Sequence, residues 1–395
     1  LQWEDLKEEW RKRKKYFLIV EGIALAVFLL GLLVRYGNPD LWHPWKGGEK
    51  PMDFSYFNAV LKSTSFPPYD PWFAGGYINY YYFGFVFVGV LVKFLAIMPS
   101  FAYNLILPTL LSMLALGGFS LSWNLFSKAK GDPVRDGKSA YRSGLAGLLG
   151  TVIIGNLGTL RMIYRGFQRL AAGSGDLKTA AWFRKIFWAG RGLVKFVGTL
   201  SFPYRLDEWY WNPSRVIAGE HGGPITEFPA FTFIYGDLHA HFIALPLTLL
   251  ALAWALSTVF NRYGKEGKGV SWGRITLTTV FGALSVGVLK PTNTWDFYPY
   301  LALGAAAILT SWWYDSSEVS LKRLGTTVGQ ILLYAGLALL LFHPYARWYG
   351  QGYSSVQPYT GSKTPLWEYL THWGLFLFVI FSWMVYETIH WMAVT

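Results

Sequence analysis

Glu49 and Asp53 stand four residues apart, so a helix running through them sets both carboxyl groups on one face. Two acids in an aromatic-rich segment can supply a general base, a metal ligand, or both. The competing account makes Asp53 the cap of a helix starting at Phe54 and leaves Glu49 solvated. Asp237, His239 and His241 alternate along the chain. In an extended strand all three project from one face and can bind a divalent metal. On a helix, positions two apart point in nearly opposite directions, and Asp237 instead caps the helix expected from His241. The two histidines stand at the mouth of an apolar block, where polar groups usually line a site. In Lys290-Pro-Thr-Asn293-Thr-Trp-Asp296, Pro291 ends one helix and Asn293 or Thr294 caps the next. The functional account has Lys290 or Asn293 hold an anionic group above a membrane. Arg347, with Tyr345, Trp348 and Tyr349, offers the same chemistry or an aromatic-belt anchor.

The elements that must position these residues are read from composition. Hydrophobic residues make up 53% of the 395 and charged residues only 15%, against roughly 25% charged in an ordinary globular chain. The apolar residues cluster into about eight blocks of nearly charge-free sequence, each close to the length of a bilayer-spanning helix. A soluble enzyme, a disordered tail and a disulfide-stapled secreted module are excluded. With no cysteine, disulfides, thiolate metal sites and a cysteine nucleophile are excluded as well. The net charge of +12 suits loops facing anionic lipid and requires no nucleic acid. The expected fold is an all-α polytopic membrane protein, one transmembrane domain over residues 1–395.

The expected spans are 16–36, 101–126, 143–160, 241–260, 275–289, 297–314, 324–342 and 373–391. Basic residues ahead of the first block keep the N-terminus cytoplasmic, and that block reads as an anchor rather than a removable signal. The apolar stretch 80–98 is decided by charge. If it crosses, the basic loop 127–142 falls outside; if it lies along the interface, the basic short loops at 127–142, 262–274 and 322–323 all fall inside. Its three leading tyrosines and Lys93 suit an interfacial helix. The outer face then carries a first long loop, 37–100, a second, 161–240, and the shorter segments 290–296 and 343–372. Residues 161–204 are basic and aromatic, as helices lying on headgroups are. The polar motifs lie in these outer segments, so the site is expected on the outer face.

Taken together, Glu49-Lys-Pro-Met-Asp53, Pro-Pro-Tyr-Asp70-Pro-Trp-Phe-Ala-Gly, Ile-Asn79-Tyr80-Tyr81-Tyr82-Phe-Gly84, Thr226-Glu227-Phe-Pro, Gly-Asp237-Leu-His239-Ala-His241 and Asn293-Thr-Trp-Asp296-Phe resemble the uncharacterised "YYY" integral membrane proteins of archaea and bacteria. One departure is Ala240, where the family pattern has proline. That family in turn looks like the GT-C superfamily of membrane glycosyltransferases. The resemblance implies a GT-C-like bundle and a catalytic carboxylate in the first outer loop, Asp53 or else Glu49. It also implies a non-crossing helix in that loop and a polyprenyl-phosphate-linked sugar donor. The acidic metal-site pattern of some members is not clearly present.

The resulting expectation is glycosyl transfer at the outer membrane surface. A carboxylate takes the acceptor's proton as it attacks sugar C1, and Lys290, Arg215, Asn293 and a protonated His241 hold the departing phosphate. Tyr80, Tyr81 and Tyr82 shape the entrance, with Asp70, Glu227 and Asp296 lining it, and a divalent metal on Asp237, His239 and His241 is the cofactor considered. A transporter is the second reading; it expects ionisable groups in mid-span, whereas Glu21, Glu387 and His390 lie near helix ends. A third is a non-catalytic scaffold or accessory subunit with protein partners. Convergence of Asp53, His239 or His241, and Lys290 would separate the enzyme from the scaffold.

Overall fold

A computed structural model describes residues 3–42, 48–130, 137–173, 175, 177, 179–219, 223–260, 272–315, 321–350, 355 and 358–394. Glu220 and His221, and parts of the basic loops at 127–142 and 262–274, lie outside the described residues. Along the chain come α1 (Trp3–Gly37), α2 (Lys50–Lys62), α3 (Phe83–Phe94), α4 (Pro99–Lys130) and α5 (Gly137–Val152). They are followed by α6 (Gly158–Ala172), α7 (Trp182–Thr199), α8 (Glu208–Trp211), α9 (Pro229–Tyr235) and α10 (Ala240–Phe260). The last are α11 (Trp272–Gly287), α12 (Leu289–Thr292), α13 (Thr294–Asp315), α14 (Leu321–Leu340), α15 (His343–Trp348) and α16 (Leu366–Val394). Among the described residues there is no strand, only an isolated bridge between Tyr69 and Tyr77. The protein is an all-α polytopic membrane protein. A helix satisfies its own backbone groups, which lipid cannot do for an open sheet.

Among the described residues six helices are long and apolar enough to cross: Trp10–Gly37, Pro99–Ser127, Ala240–Phe260, Gly273–Thr292, Leu321–Leu340 and Leu366–Val394. Two of the eight expected blocks are not among these six. The block expected at 143–160 is broken, because α5 stops at Val152 and α6 begins at Gly158. The intervening Asn156 donates its side-chain amide to Pro213 O at 2.7 Å and accepts the Gly158 N–H at 2.8 Å. A side chain that competes for backbone groups favours such a helix boundary. The other, α13, has 22 residues and is not among the six. The stretch 80–98 yields only the 12-residue α3, about 18 Å at 1.5 Å per residue. That is shorter than the roughly 30 Å of a hydrocarbon core.

The chain divides into two compact units, Leu1–Val152 with Gly236–Ser355, and Ile153–Tyr235 with Val356–Thr395. In the first, α4 and α5 approach so closely that a side chain at Gly147 would strike Ser122 and the carbonyl of Gly118, the small-residue packing that membrane helices use in place of a hydrophobic drive. A second cluster stacks Trp254 on Tyr334, ring centroids 5.0 Å apart, and gathers Phe297, Leu289 and Ile308 around them. In the second unit, α6 packs on α7 through Phe167, Phe196 and Phe202. The large apolar side chains Phe378, Phe381 and Trp383 of α16 stay exposed, as a lipid-facing helix requires.

Candidate functional site

The helix carrying Asp53 begins at Lys50, with Glu49 ahead of it and Pro51 in its first turn, where proline's fixed φ and missing N–H cost nothing. The Asp53 N–H donates to Glu49 O at 2.9 Å. Asp53 is therefore one turn inside α2, not the cap of a helix starting at Phe54, and the capping account fails. Its side chain is fully buried, and neither carboxyl oxygen has a hydrogen-bond partner among the described residues. Burial pushes this carboxyl well above the usual range; Asp237 and Glu49 push the same way, and His239 opposes them. The helix N-terminus favours a negative charge by about 0.3–1 kcal/mol, too little against the several kcal/mol that burying an ion costs.

Glu49 is not simply solvated. Its Oε2 lies 2.7 Å from His239 Nε2, and that hydrogen bond holds the Glu49 carboxyl below its ordinary value against partial burial. For His239, burial acts to lower the pKa, but the bond to Glu49 and the charges of Asp53, Glu49 and Asp237 outweigh it, so the net shift is upward. The same Nε2 stands 2.8 Å from the Tyr80 hydroxyl. On the opposite side of the ring, His239 Nδ1 faces His241 Nδ1 at 2.6 Å, a spacing that needs one shared proton between the two nitrogens. An imidazolium at His239 fits these contacts: its Nε2–H is shared between the Glu49 carboxylate and the Tyr80 hydroxyl oxygen, both accepting, and its Nδ1–H donates to His241.

The chain from Gly236 to His241 makes that geometry. Gly236 has φ 75°, and the Arg35 guanidinium occupies the place where a side chain would sit. The Leu238 N–H donates to the Tyr103 hydroxyl at 2.6 Å, and Asp237 is buried. The carbonyl of His239 accepts from Phe242 and Ile243, so His239 is the residue that starts α10 and His241 lies in its first turn. Neither the strand nor the helix geometry considered for the alternating triplet applies: the two histidines straddle a helix start, and their rings meet at 4.6 Å. Among the described residues no group of three or more His, Asp or Glu side chains is arranged to hold a metal ion.

The three tyrosines differ in role. Tyr80 reaches His239, and burial, then Asp53 and Glu49, raise its pKa, keeping the hydroxyl protonated. Tyr81 packs on Tyr349, while Tyr82 is buried against Tyr345 and Phe66. Asn79 donates to Gly350 O at 3.2 Å and accepts the Gly350 N–H at 2.9 Å, tying the tyrosine run to the segment after α15. Asp70 accepts the Trp72 N–H at 2.7 Å and the Tyr56 hydroxyl at 3.3 Å. It thus shapes a turn one ring away from Tyr80, since Tyr56 and Tyr80 are in contact.

Near His241, Asp296 lies within electrostatic reach of the imidazole. Asn293 donates its side-chain amide to Asp296 Oδ2 at 2.9 Å, and its backbone carbonyl accepts the Asp296 N–H, so Asn293 stands just ahead of α13 with its side chain on Asp296. Lys290, in α12, lies 5.6 Å from the Phe297 ring centroid and is in no ion pair among the described residues. Arg215 and Glu227 belong to the second unit. There Arg215 donates to Ser214 O and Oγ and lies over Trp211, and Glu227 accepts the Thr232 hydroxyl at 3.3 Å. Arg347 is exposed.

Glu49, Asp53, Tyr80, Asp237, His239 and His241 thus form one constellation, with Asp296 at its edge. Sequence reading missed Arg35 and Tyr103, which support the Gly236–Leu238 turn; an arginine closing an apolar block was the available signal for the first. The family described as "Uncharacterized membrane protein (DUF2298)" matches residues 1–394. No curated protein and no solved structure matches the chain.

Proposed function

Starting from a chain that belongs to the uncharacterized membrane protein family DUF2298, we propose that it is a membrane glycosyltransferase that uses a polyprenyl-phosphate-linked sugar at the outer face. The observation that carries this is Asp53: a carboxyl group buried with no hydrogen-bond partner among the described residues, one helical turn from the Glu49–His239 pair. An unpaired buried acid is costly to keep, and raised proton affinity beside a second proton carrier is the arrangement general acid–base chemistry uses.

In the reaction, Asp53 in its ionised form accepts the proton of an acceptor hydroxyl while the hydroxyl oxygen bonds to sugar C1. The bond from C1 to the phosphate oxygen breaks, and its electron pair leaves with the phosphate. Protonated His239, held by Glu49, stabilises the ionised form of Asp53 and can pass a proton to His241. His241 and Lys290 supply positive charge toward the departing phosphate. Tyr80, kept protonated, offers a hydrogen bond, and the neighbouring aromatic rings suit the C–H faces of a pyranose. Lipid is the second partner, because the donor's chain must enter from the bilayer.

The test is transfer of radiolabelled sugar from a polyprenyl-phosphate donor by protein in proteoliposomes. Activity that Asp53→Asn lowers by at least 100-fold supports the assignment. Full activity in that variant overturns it.

A further inference from the structure

The second unit carries a cavity that the transfer reading does not use. It measures about 190 Å³ and is lined by Arg161, Arg165, Arg169, Tyr204, Asn212 and Arg215, among others. The first three arginines follow one another at intervals of four along α6, so they form a single stripe. Arg215 enters from the short 3-10 turn Asn212–Arg215. Each guanidinium rests on an aromatic ring. Arg161 lies 3.7 Å and Arg165 5.7 Å from the Trp367 centroid, Arg169 5.0 Å from that of Tyr204, and Arg215 4.5 Å from that of Trp211. Stacking fixes a guanidinium plane and leaves its N–H edge for a ligand.

The charge there is unbalanced. Among the described residues none of the four arginines is in an ion pair. The one acid that acts on Arg161 is Glu368, which is buried and already accepts the Ala218 N–H at 2.8 Å. Burial and the charge of Arg165 bring the Arg161 guanidinium down to about 10, as crowded like charges do. A bound anion relieves that repulsion.

We propose that this cavity is a phosphate-binding site. Planar guanidinium forks match phosphate oxygens in bidentate pairs. The volume is below the roughly 300–1,000 Å³ of a site for a drug-sized molecule, so the phosphate group enters and the rest of the ligand stays outside. Both amphipathic helices expose apolar side chains, Leu160 and Tyr164 on α6, Ile186, Phe187 and Val194 on α7, a surface suited to acyl chains beside a headgroup. The ligand is thus a lipid phosphate or a soluble one, recognised by the same chemistry. The proposal rests on the second unit alone and is independent of the transfer reading.

Titration calorimetry of the full chain in detergent tests it, with dihexanoyl-phosphatidic acid, dihexanoyl-phosphatidylcholine and inorganic pyrophosphate as probes. The expected result is binding of the phosphatidic acid at least tenfold tighter than of the phosphatidylcholine. Arg165 and Arg169 are both exposed, so the double variant Arg165→Gln/Arg169→Gln keeps the fold, checked by its melting temperature, and loses at least tenfold in affinity. Pyrophosphate binding as tightly as the short-chain lipid supports a soluble phosphate as the ligand; lipid binding tenfold tighter supports a headgroup. Absence of binding by either phosphate compound, equal binding of the two lipids, or unchanged affinity in the double variant overturns the proposal.

Discussion

Glu49 Oε2 lies 2.7 Å from His239 Nε2, although one residue precedes α2 and the other starts α10. The pair shifts both pKa values, Glu49 down and His239 up. Glu49 therefore contributes stability present above its unfolded pKa and lost as pH falls through its depressed folded value. His239 contributes stability present below its unfolded pKa and lost as pH rises through its raised folded value. The pair is intact between those two folded values. Histidine-selective NMR titration should place His239 above an ordinary imidazole, and Glu49→Gln should bring it down. An unshifted His239 in that variant would remove the pair from the account.

Asp53→Asn is expected to stabilise the protein while lowering the proposed transfer, because the amide removes a buried ionisable group that has no hydrogen-bond partner among the described residues. The folded pKa of Asp53 is raised, so its protonated form is favoured by folding. Wild-type stability from this group is complete below the unfolded pKa and falls as pH rises, by about 1.4 kcal/mol per unit, until the folded pKa is passed. The gap in melting temperature between Asp53→Asn and wild type should widen from pH 4 to pH 8, with the variant higher. A gap that narrows with pH would contradict the burial of this carboxyl.

Gly236→Ala should destabilise the site turn. A left-handed backbone costs a non-glycine residue roughly 1–2 kcal/mol, and the new methyl group would displace the Arg35 guanidinium. Arg35 also donates to Asn104 Oδ1 at 3.0 and 2.8 Å, so movement there spreads into α4. Thermal denaturation is the measurement, and a loss below about 0.5 kcal/mol would show that the turn tolerates a side chain.

Sidedness has a direct assay, because the chain contains no cysteine. Ala74→Cys and Lys12→Cys each place a single thiol at an exposed position. A membrane-impermeant maleimide should label the first in intact cells and the second only after permeabilisation. The reverse pattern would move the constellation to the cytoplasmic side and remove the outer-face reading.

The sequence by itself determined what depends on local pattern. Apolar blocks announced membrane helices, and the spacing of Glu49 and Asp53 put two acids at one helix start, Glu49 just ahead of α2 and Asp53 in its first turn. It failed at 143–160, where apolarity continues through Asn156 but the side chain's bonds to Pro213 and Gly158 end the helix. Only the tertiary structure decided which acid is buried and which is paired. Two carboxyls four residues apart look alike in sequence, yet the start of α10 brings His239 to Glu49, while Asp53 is buried with no hydrogen-bond partner among the described residues. The arginine stripe of α6 was legible as basic and aromatic sequence. That it encloses a cavity with Arg215 depends on a chain reversal. A proton's affinity or an anion's hold is set by neighbours distant in sequence, through burial and charge over a few ångströms, and no local spacing encodes those.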